Sequence, residues 1–315
     1  MLDPMAEQSF TRRAFLATPA LAAAATTNPA PLKLSIFSKH LQWADWKEMA
    51  ETAAGMGFEG IDLTVRAGGH VLPERVAEDL PKAAEAIRAA GIALTMITTD
   101  IVDPNSPHAE AVLKTASALG VRNYRWGGFK YTDAKPIAEQ LAAFKPRVKA
   151  LSALNQRYNM CAMYHTHSGV NQVGAAQWDL WTLLKDEDPR YVSFNYDIGH
   201  ATIEGGLGGW IHSARVTAPF MRGVALKDFT WVKSDKGWNA EWCPIGKGMV
   251  NLPKFLGMLR EQAFNGPLQI HYEYKTIGGA DSGKRTLTIL KDEVIAQMRR
   301  DVSTVKRLLK DAQLA

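Results

Sequence analysis

The sequence predicts an α/β protein built as one (β/α)8 barrel, and three observations carry that expectation. From Leu32 onward, short β-rich runs alternate with longer amphipathic segments, which is the rhythm of parallel βαβ units. Eight such runs can be counted, the number that closes a barrel. The stretch after the first run reads Ser38-Lys39-His40-Leu41-Gln42-Trp43, which lacks the glycine-rich phosphate loop that a dinucleotide-binding open sheet needs at that place. A length of 315 residues, 46% hydrophobic and 22% charged, suits a single barrel with a full core.

The predicted strands cover 33–38, 60–65, 93–98, 123–126, 160–165, 192–196, 223–227 and 268–272. Helical patterns fill the intervals. The one over 44–54 ends at Gly55 and Gly57, that over 83–90 at Gly91 and that over 111–119 at Gly120, where glycine takes the left-handed cap conformation. The Pro- and Gly-rich stretches are single turns and none reads as an interdomain linker, so residues 32–315 are expected to form one domain.

Residues 1–31 read differently. Thr11-Arg12-Arg13-Ala14-Phe15-Leu16, a weakly apolar Ala-rich stretch with small residues at Ala22 to Ala25, and Thr26-Thr27-Asn28-Pro29 resemble a twin-arginine signal peptide with a short linker. A membrane span needs roughly 20 strongly apolar residues, so a cleavable leader fits better than an anchor. The expectation is periplasmic export without stable membrane insertion afterwards. The net charge of +5 comes from Lys and Arg spread among Asp and Glu with no basic run, so it is read as general solvation and not as a nucleic-acid surface. Cys161 and Cys243 are the only cysteines and are read as unpaired thiols.

In a barrel the functional groups come from the carboxyl ends of the strands, and here those ends gather histidine and carboxylate. The fifth strand ends in Tyr164-His165-Thr166-His167-Ser168-Gly169, the sixth in Tyr196-Asp197-Ile198-Gly199-His200, the seventh in Leu226-Lys227-Asp228-Phe229 and the eighth in His271-Tyr272-Glu273-Tyr274. Side chains alternate across a strand, so His165 shares a face with His167, and His271 with Glu273. If those faces point inward, imidazoles and carboxylates converge, as a divalent metal or acid/base chemistry requires.

With those motifs in place the chain resembles the sugar phosphate isomerase/epimerase superfamily, the xylose-isomerase-like barrels, over nearly all of residues 32–312. The resemblance implies a divalent metal held by Glu, Asp, His and Glu at the ends of strands five to eight. In this sequence the strand-six Asp-x-x-His motif falls on Asp197 and His200, and the strand-eight Glu on Glu273. The usual strand-seven His-x-Lys-Asp reads Ala225-Leu226-Lys227-Asp228, and His165 stands where strand five has Glu. Two readings follow. Either His165, Asp197 and Glu273 hold a divalent ion (Mn, Zn, Co, Fe or Mg), with His200, His271 or a water in the place of the missing strand-seven histidine, or Lys227 supplies the positive charge in its place.

What the resemblance implies about activity is a sugar isomerase or epimerase that abstracts a proton next to the carbonyl of a sugar or keto-sugar. Glu273 is the expected base, with Lys227 and His165 as the further groups at the reacting centre. The alternatives are a lyase or dehydratase acting on keto-glycosides or inososes, and a non-catalytic periplasmic sugar-binding protein. The expected substrate-binding groups are His40, Arg66, His70, Arg125, His167, His200, Trp242 and His271. Arg66 has a salt bridge to Asp62 or a neighbouring carboxylate as its competing assignment. Trp231, Trp238 and Trp242 mark a long loop after the seventh strand, and Gly246-Lys247-Gly248 is read as a structural turn. The partner is a small sugar or glycoside, with self-association into a homo-oligomer left open.

Overall fold

In the computed structural model, residues 31–315 are described, and the twin-arginine signal expected at Arg12-Arg13 lies outside them. In chain order the elements are β1 (Leu34–Phe37), α1 (Trp46–Met56), β2 (Gly60–Thr64), α2 (Val76–Ala89), β3 (Ala93–Thr98), α3 (Ala109–Ala118), β4 (Asn123–Trp126) and α4 (Ile137–Tyr158). There follow β5 (Cys161–His165), α5 (Trp178–Leu184), β6 (Val192–Asp197), α6 (Ile198–Gly205), α7 (Gly209–Thr217), β7 (Met221–Leu226), β8 (Asp228–Ser234), β9 (Gly237–Cys243), α8 (Leu252–Glu261), β10 (Leu268–Ile270) and α9 (Lys291–Asp311). Eight strands close a parallel barrel in the order β1-β10-β7-β6-β5-β4-β3-β2, and β8 pairs with β9 in a separate antiparallel hairpin. Each expected strand overlaps a barrel strand, with shifts of one or two residues at the ends.

Local sequence explains the joints. The Asp45 side chain caps α1 by accepting the Glu48 N–H at 2.9 Å, and Gly57 ends the helix at a φ of 93° that a side chain would strain. The helix buries Met49, Ala50, Ala53 and Met56 at helical spacing against the barrel wall. Helix α9 does the same with Val294, Met298, Val302, Val305 and Leu309, and the Leu32 N–H donates to the Leu314 carbonyl at 3.1 Å, tying the two ends of the domain together. Among the described residues no helix is long and apolar enough to cross a membrane. Cys161 and Cys243 are both free thiols.

Two cores result. The large apolar one lies between strands and helices, whereas the barrel interior holds Met96, Cys161 and Met163 beside a polar layer. In that layer Asn195 donates to Gln269 Oε1 at 3.1 Å, and Gln269 lies 2.8 Å from the Met96 sulfur. Asn195 and Gln269 stand two residues before Asp197 and His271, so strand alternation sets this layer directly beneath the carboxyl-end groups as a floor.

The hairpin replaces the expected long loop. Its base is fixed by Asp228, whose Oδ1 accepts the N–H groups of Phe229 (2.9 Å) and Val250 (3.0 Å) and whose Oδ2 accepts those of Gly246 and Gly248 (both 2.9 Å). A Cβ at Gly248 would stand 2.3 Å from both Asp228 Oδ1 and the Phe229 carbonyl oxygen, so glycine is required there. The Gly246-Lys247-Gly248 turn is thus a cradle for a buried carboxylate. Asp228→Ala leaves four backbone donors unpaired and is expected to lower unfolding free energy by about 3 kcal/mol or more in a urea titration. A loss under about 1 kcal/mol would show the cradle to be dispensable.

Candidate active site

Strands β5, β6, β7 and β10 deliver His165, Asp197, Lys227 and His271 to the carboxyl end of the barrel, each no more than 3% exposed. Asp197 is the meeting point. Its Oδ1 accepts the His200 N–H at 3.0 Å and so caps α6. Its Oδ2 lies 3.0 Å from Lys227 Nζ and 3.3 Å from His165 Nε2. The Lys227 approach is an ion pair without hydrogen-bond geometry, and this oxygen, both His165 nitrogens and His271 Nε2 are buried without hydrogen-bond partners among the described residues. Ligand atoms of His165, Asp197 and His271 all lie within 4.8 Å of one another.

The imidazoles form a stack. His271 lies between Phe37 (4.8 Å, 28°) and His165 (4.9 Å, 26°), and His167 packs edge-on to His165 at 4.6 Å. Hydrogen bonds fix two tautomers. A lysine ammonium only donates, so His200 Nε2 accepts from Lys227 at 3.0 Å, and its protonated Nδ1 donates to Ser168 Oγ at 2.7 Å. An arginine likewise only donates, so His167 Nε2 accepts from Arg125 Nη2 at 3.2 Å. Trp242, on β9, closes one wall, with Lys227 Nζ 4.8 Å from its ring centroid and the His200 ring at 4.9 Å. A Cβ at Gly199 would meet Lys227 Cγ at 2.8 Å and Trp242 Cζ3 at 3.0 Å, so the glycine before His200 lets lysine and indole close over Asp197.

Glu273 stands higher, with its side chain 25% exposed, 3.4 Å from Lys39 Nζ and 3.6 Å from Lys227 Nζ. Burial alone would raise its carboxyl, but Lys227 and Lys39 outweigh that and hold it below its ordinary range. It is therefore ionised at neutral pH.

Several assignments made from sequence are corrected by these positions. Glu273 falls outside the metal-ligand cluster because its carboxylate turns to Lys39 and Lys227, and His271 takes that place. His40 is not a substrate group: its Nδ1 bonds the Ala280 carbonyl and its Nε2 accepts the Tyr272 N–H, both at 3.0 Å. His70 is likewise used up, by Thr64 Oγ1 at 3.0 Å and the Leu41 carbonyl at 3.3 Å. Arg66 makes no salt bridge to Asp62, whose carboxylate accepts from Thr98 Oγ1. Trp238 is 66% exposed and Trp231 40%, so of the three loop tryptophans only Trp242 faces the site. Arg125, His167, His200 and Lys227 are all drawn together around it. Sequence reading missed Phe37, Ser168 and Gly199. Ser168 and Gly199 did leave a signal, since both stand inside the strand-end motifs after β5 and β6.

Fold and site together define a class. Residues 50–293 match the family described as xylose isomerase-like TIM barrel, and the chain belongs to that family. Comparison with curated proteins finds no match. Among solved structures, a xylose isomerase domain protein from Planctomyces limnophilus is similar at 19% identity and a TM-score of 0.60, over 90% of this chain and 98% of that one. A D-psicose 3-epimerase from Clostridium cellulolyticum H10 is similar at 14% and 0.64, over 88% and 99%. A 3-keto-D-glucoside 4-epimerase from E. coli is similar at 11% and 0.63, over 86% and 99%. At these identities the likeness is one of fold.

Burial gives the site a pH signature. It pushes His40 and His167 down to about 3, His70 to about 4, and His165, His200 and His271 well below their ordinary range, with Arg125 and Lys227 adding to the shift on the last three and on His167. Below pH 6.5 the unfolded chain protonates these six rings and the folded one does not, so stability falls as pH falls, by about 1.4 kcal/mol per ring per pH unit. Asp62 and Asp301, raised to about 6 by burial, work in the opposite direction. A net uptake of about four protons on unfolding is expected near pH 5. Urea unfolding at pH 7.5, 6 and 5 measures it, and equal stability at all three would mean that the rings are not held neutral.

Proposed function

We propose that this chain is a sugar isomerase or epimerase that removes the proton next to the carbonyl of a sugar or keto-sugar with the help of a divalent metal. The observation that carries the reading is the set of buried donors without partners, on His165, Asp197 and His271, facing one another beside Lys227 and Glu273. Two imidazoles and a carboxylate are a donor set that suits Zn, Mn, Co or Fe, and an ion held there supplies Lewis-acid polarisation of the substrate carbonyl.

The chain's own groups do the rest. Glu273, ionised and at the rim of the pocket, takes the proton from carbon. The Lys227 ammonium donates to the oxygen on which charge develops, which makes the loss of that proton less costly. His200, kept neutral, holds Lys227 from one side and is held in turn by Ser168. Trp242 gives a flat apolar wall for the C–H face of a sugar and keeps water from the ammonium. Protonation of the intermediate on another carbon gives the isomer, and protonation on the opposite face gives the epimer. The D-psicose and 3-keto-D-glucoside epimerases that share the fold support this class of chemistry. The resemblance of the Arg12-Arg13 segment to a twin-arginine leader supports work in the periplasm, where glycosides are plentiful, and favours the lyase alternative.

Deuterium uptake from solvent at the carbon next to the carbonyl, measured on keto-sugars and on 3-keto-glucosides, tests the reading. The wild type is expected to exchange. Glu273→Gln keeps shape but not basicity and is expected to lose on the order of 10² to 10⁴ in rate while remaining folded. Exchange followed by loss of the aglycone would identify a lyase. Binding of sugar with no exchange in the wild type would point to a binding protein.

A further inference from the structure

The mechanism leaves two cations unused. Arg66 follows β2 and Arg125 lies within β4, and around the barrel these strands stand opposite β6 and β10, which carry Asp197 and the run to Glu273. Their guanidinium carbons lie 5.5 and 5.7 Å from the centroid of Phe37, the ring that stacks on His271, so both reach the pocket from its far side. Among the described residues neither has a carboxylate within 4.0 Å. Among the same described residues Arg66 makes no side-chain hydrogen bond, and Arg125 makes one, to the neutral acceptor His167 Nε2. The carboxylate between them and the barrel floor, Asp62, spends both oxygens on Thr98 Oγ1 at 2.8 and 2.9 Å. Burial, and next the repulsion from Arg66, lowers the Arg125 guanidinium to about 10, so the fold holds this charge against an electrostatic penalty.

Counted over the whole pocket, Arg66, Arg125, Lys39 and Lys227 face Asp62, Asp197 and Glu273, which leaves one positive charge without a counter-ion in a mostly buried site, a costly arrangement unless a ligand completes it. We propose that Arg66 and Arg125 bind a carboxylate on the substrate, at the end of the sugar away from the carbon that loses its proton, and that the substrate class is a sugar acid. The inference rests on the sugar-pocket reading above. A hydroxyl would leave the charge uncompensated. A phosphate monoester brings close to two negative charges to an excess of one, whereas a carboxylate brings one in the planar form that an arginine fork matches.

Calorimetric titration of the full chain with D-glucuronate, D-glucose and D-glucose 6-phosphate tests the proposal without requiring turnover. D-glucuronate is expected to bind at least about tenfold more tightly than D-glucose, and more tightly than the phosphate. Arg66→Met, at a half-exposed position, is expected to bring the two unphosphorylated sugars within about twofold of each other. Arg125→Lys keeps the charge but not the fork and is expected to lose much of the preference, with thermal unfolding reporting whether it folds. Equal binding of glucuronate and glucose, a preference that survives Arg66→Met, tighter binding of the phosphate, or no binding of any of the three would overturn it. Proton exchange on neutral keto-sugars without a glucuronate preference would overturn this inference and leave the isomerase reading standing. A glucuronate preference in a chain that exchanges no proton would do the reverse.

Discussion

Asp197 is a fully buried carboxylate at the point where β6 becomes α6, and the architecture of the site follows from how that charge is satisfied. One oxygen caps the helix by accepting the His200 N–H, and this bond to the backbone holds the carboxylate in one orientation. The other oxygen faces Lys227 and His165. Removing a buried anion's partner costs several kcal/mol, so Lys227 is bound to this corner, and the glycine at 199 and the indole of Trp242 are the shape that lets a lysine stem lie there.

Once Lys227 and Arg125 are inside the pocket, the histidines around them cannot also be cations. Burial and these neighbouring charges keep His165, His167, His200 and His271 neutral. Neutral imidazoles are ligands and hydrogen-bond acceptors, and the two roles separate cleanly. His167 and His200 are acceptors for Arg125 and Lys227, whereas His165 and His271 keep buried nitrogens unbonded. With Ala225 on β7 offering no ligand atom, the second imidazole of the cluster follows β10, brought into line by its stacking on Phe37.

The barrel was legible because the signals that specify it are local: β-rich runs, helix patterns and glycine caps recur along the chain, and the structure keeps each strand within a residue or two, whereas α2 starts at Val76, seven residues before the expected helix. That His165, Asp197, Lys227 and Glu273 stand close together was legible for a related reason, since strand alternation and position at a carboxyl end are properties of short segments. What failed was long-range. Nothing near His40 announces that its ring nitrogens are taken by Ala280 and Tyr272, more than 200 residues away. His271 and Glu273 share a face, and which of them reaches Asp197 depends on Lys39, which draws the carboxylate up to the rim. The β8–β9 hairpin did leave a mark, Asp235-Lys236-Gly237 between β-forming runs, with Gly237 at a φ of 101°, but the tryptophans on either side read equally well as a packed loop.

The central claim is that His165, Asp197 and His271 form one metal site, with Lys227 beside it. Titration of chelator-treated full chain with Mn²⁺, followed by electron paramagnetic resonance, tests it directly. One ion per chain is expected to bind, with His165→Ala and His271→Ala each weakening it by about tenfold or more and Asp197→Asn abolishing it. No bound Mn²⁺ at millimolar metal, or affinity unchanged in both histidine variants, would contradict the site.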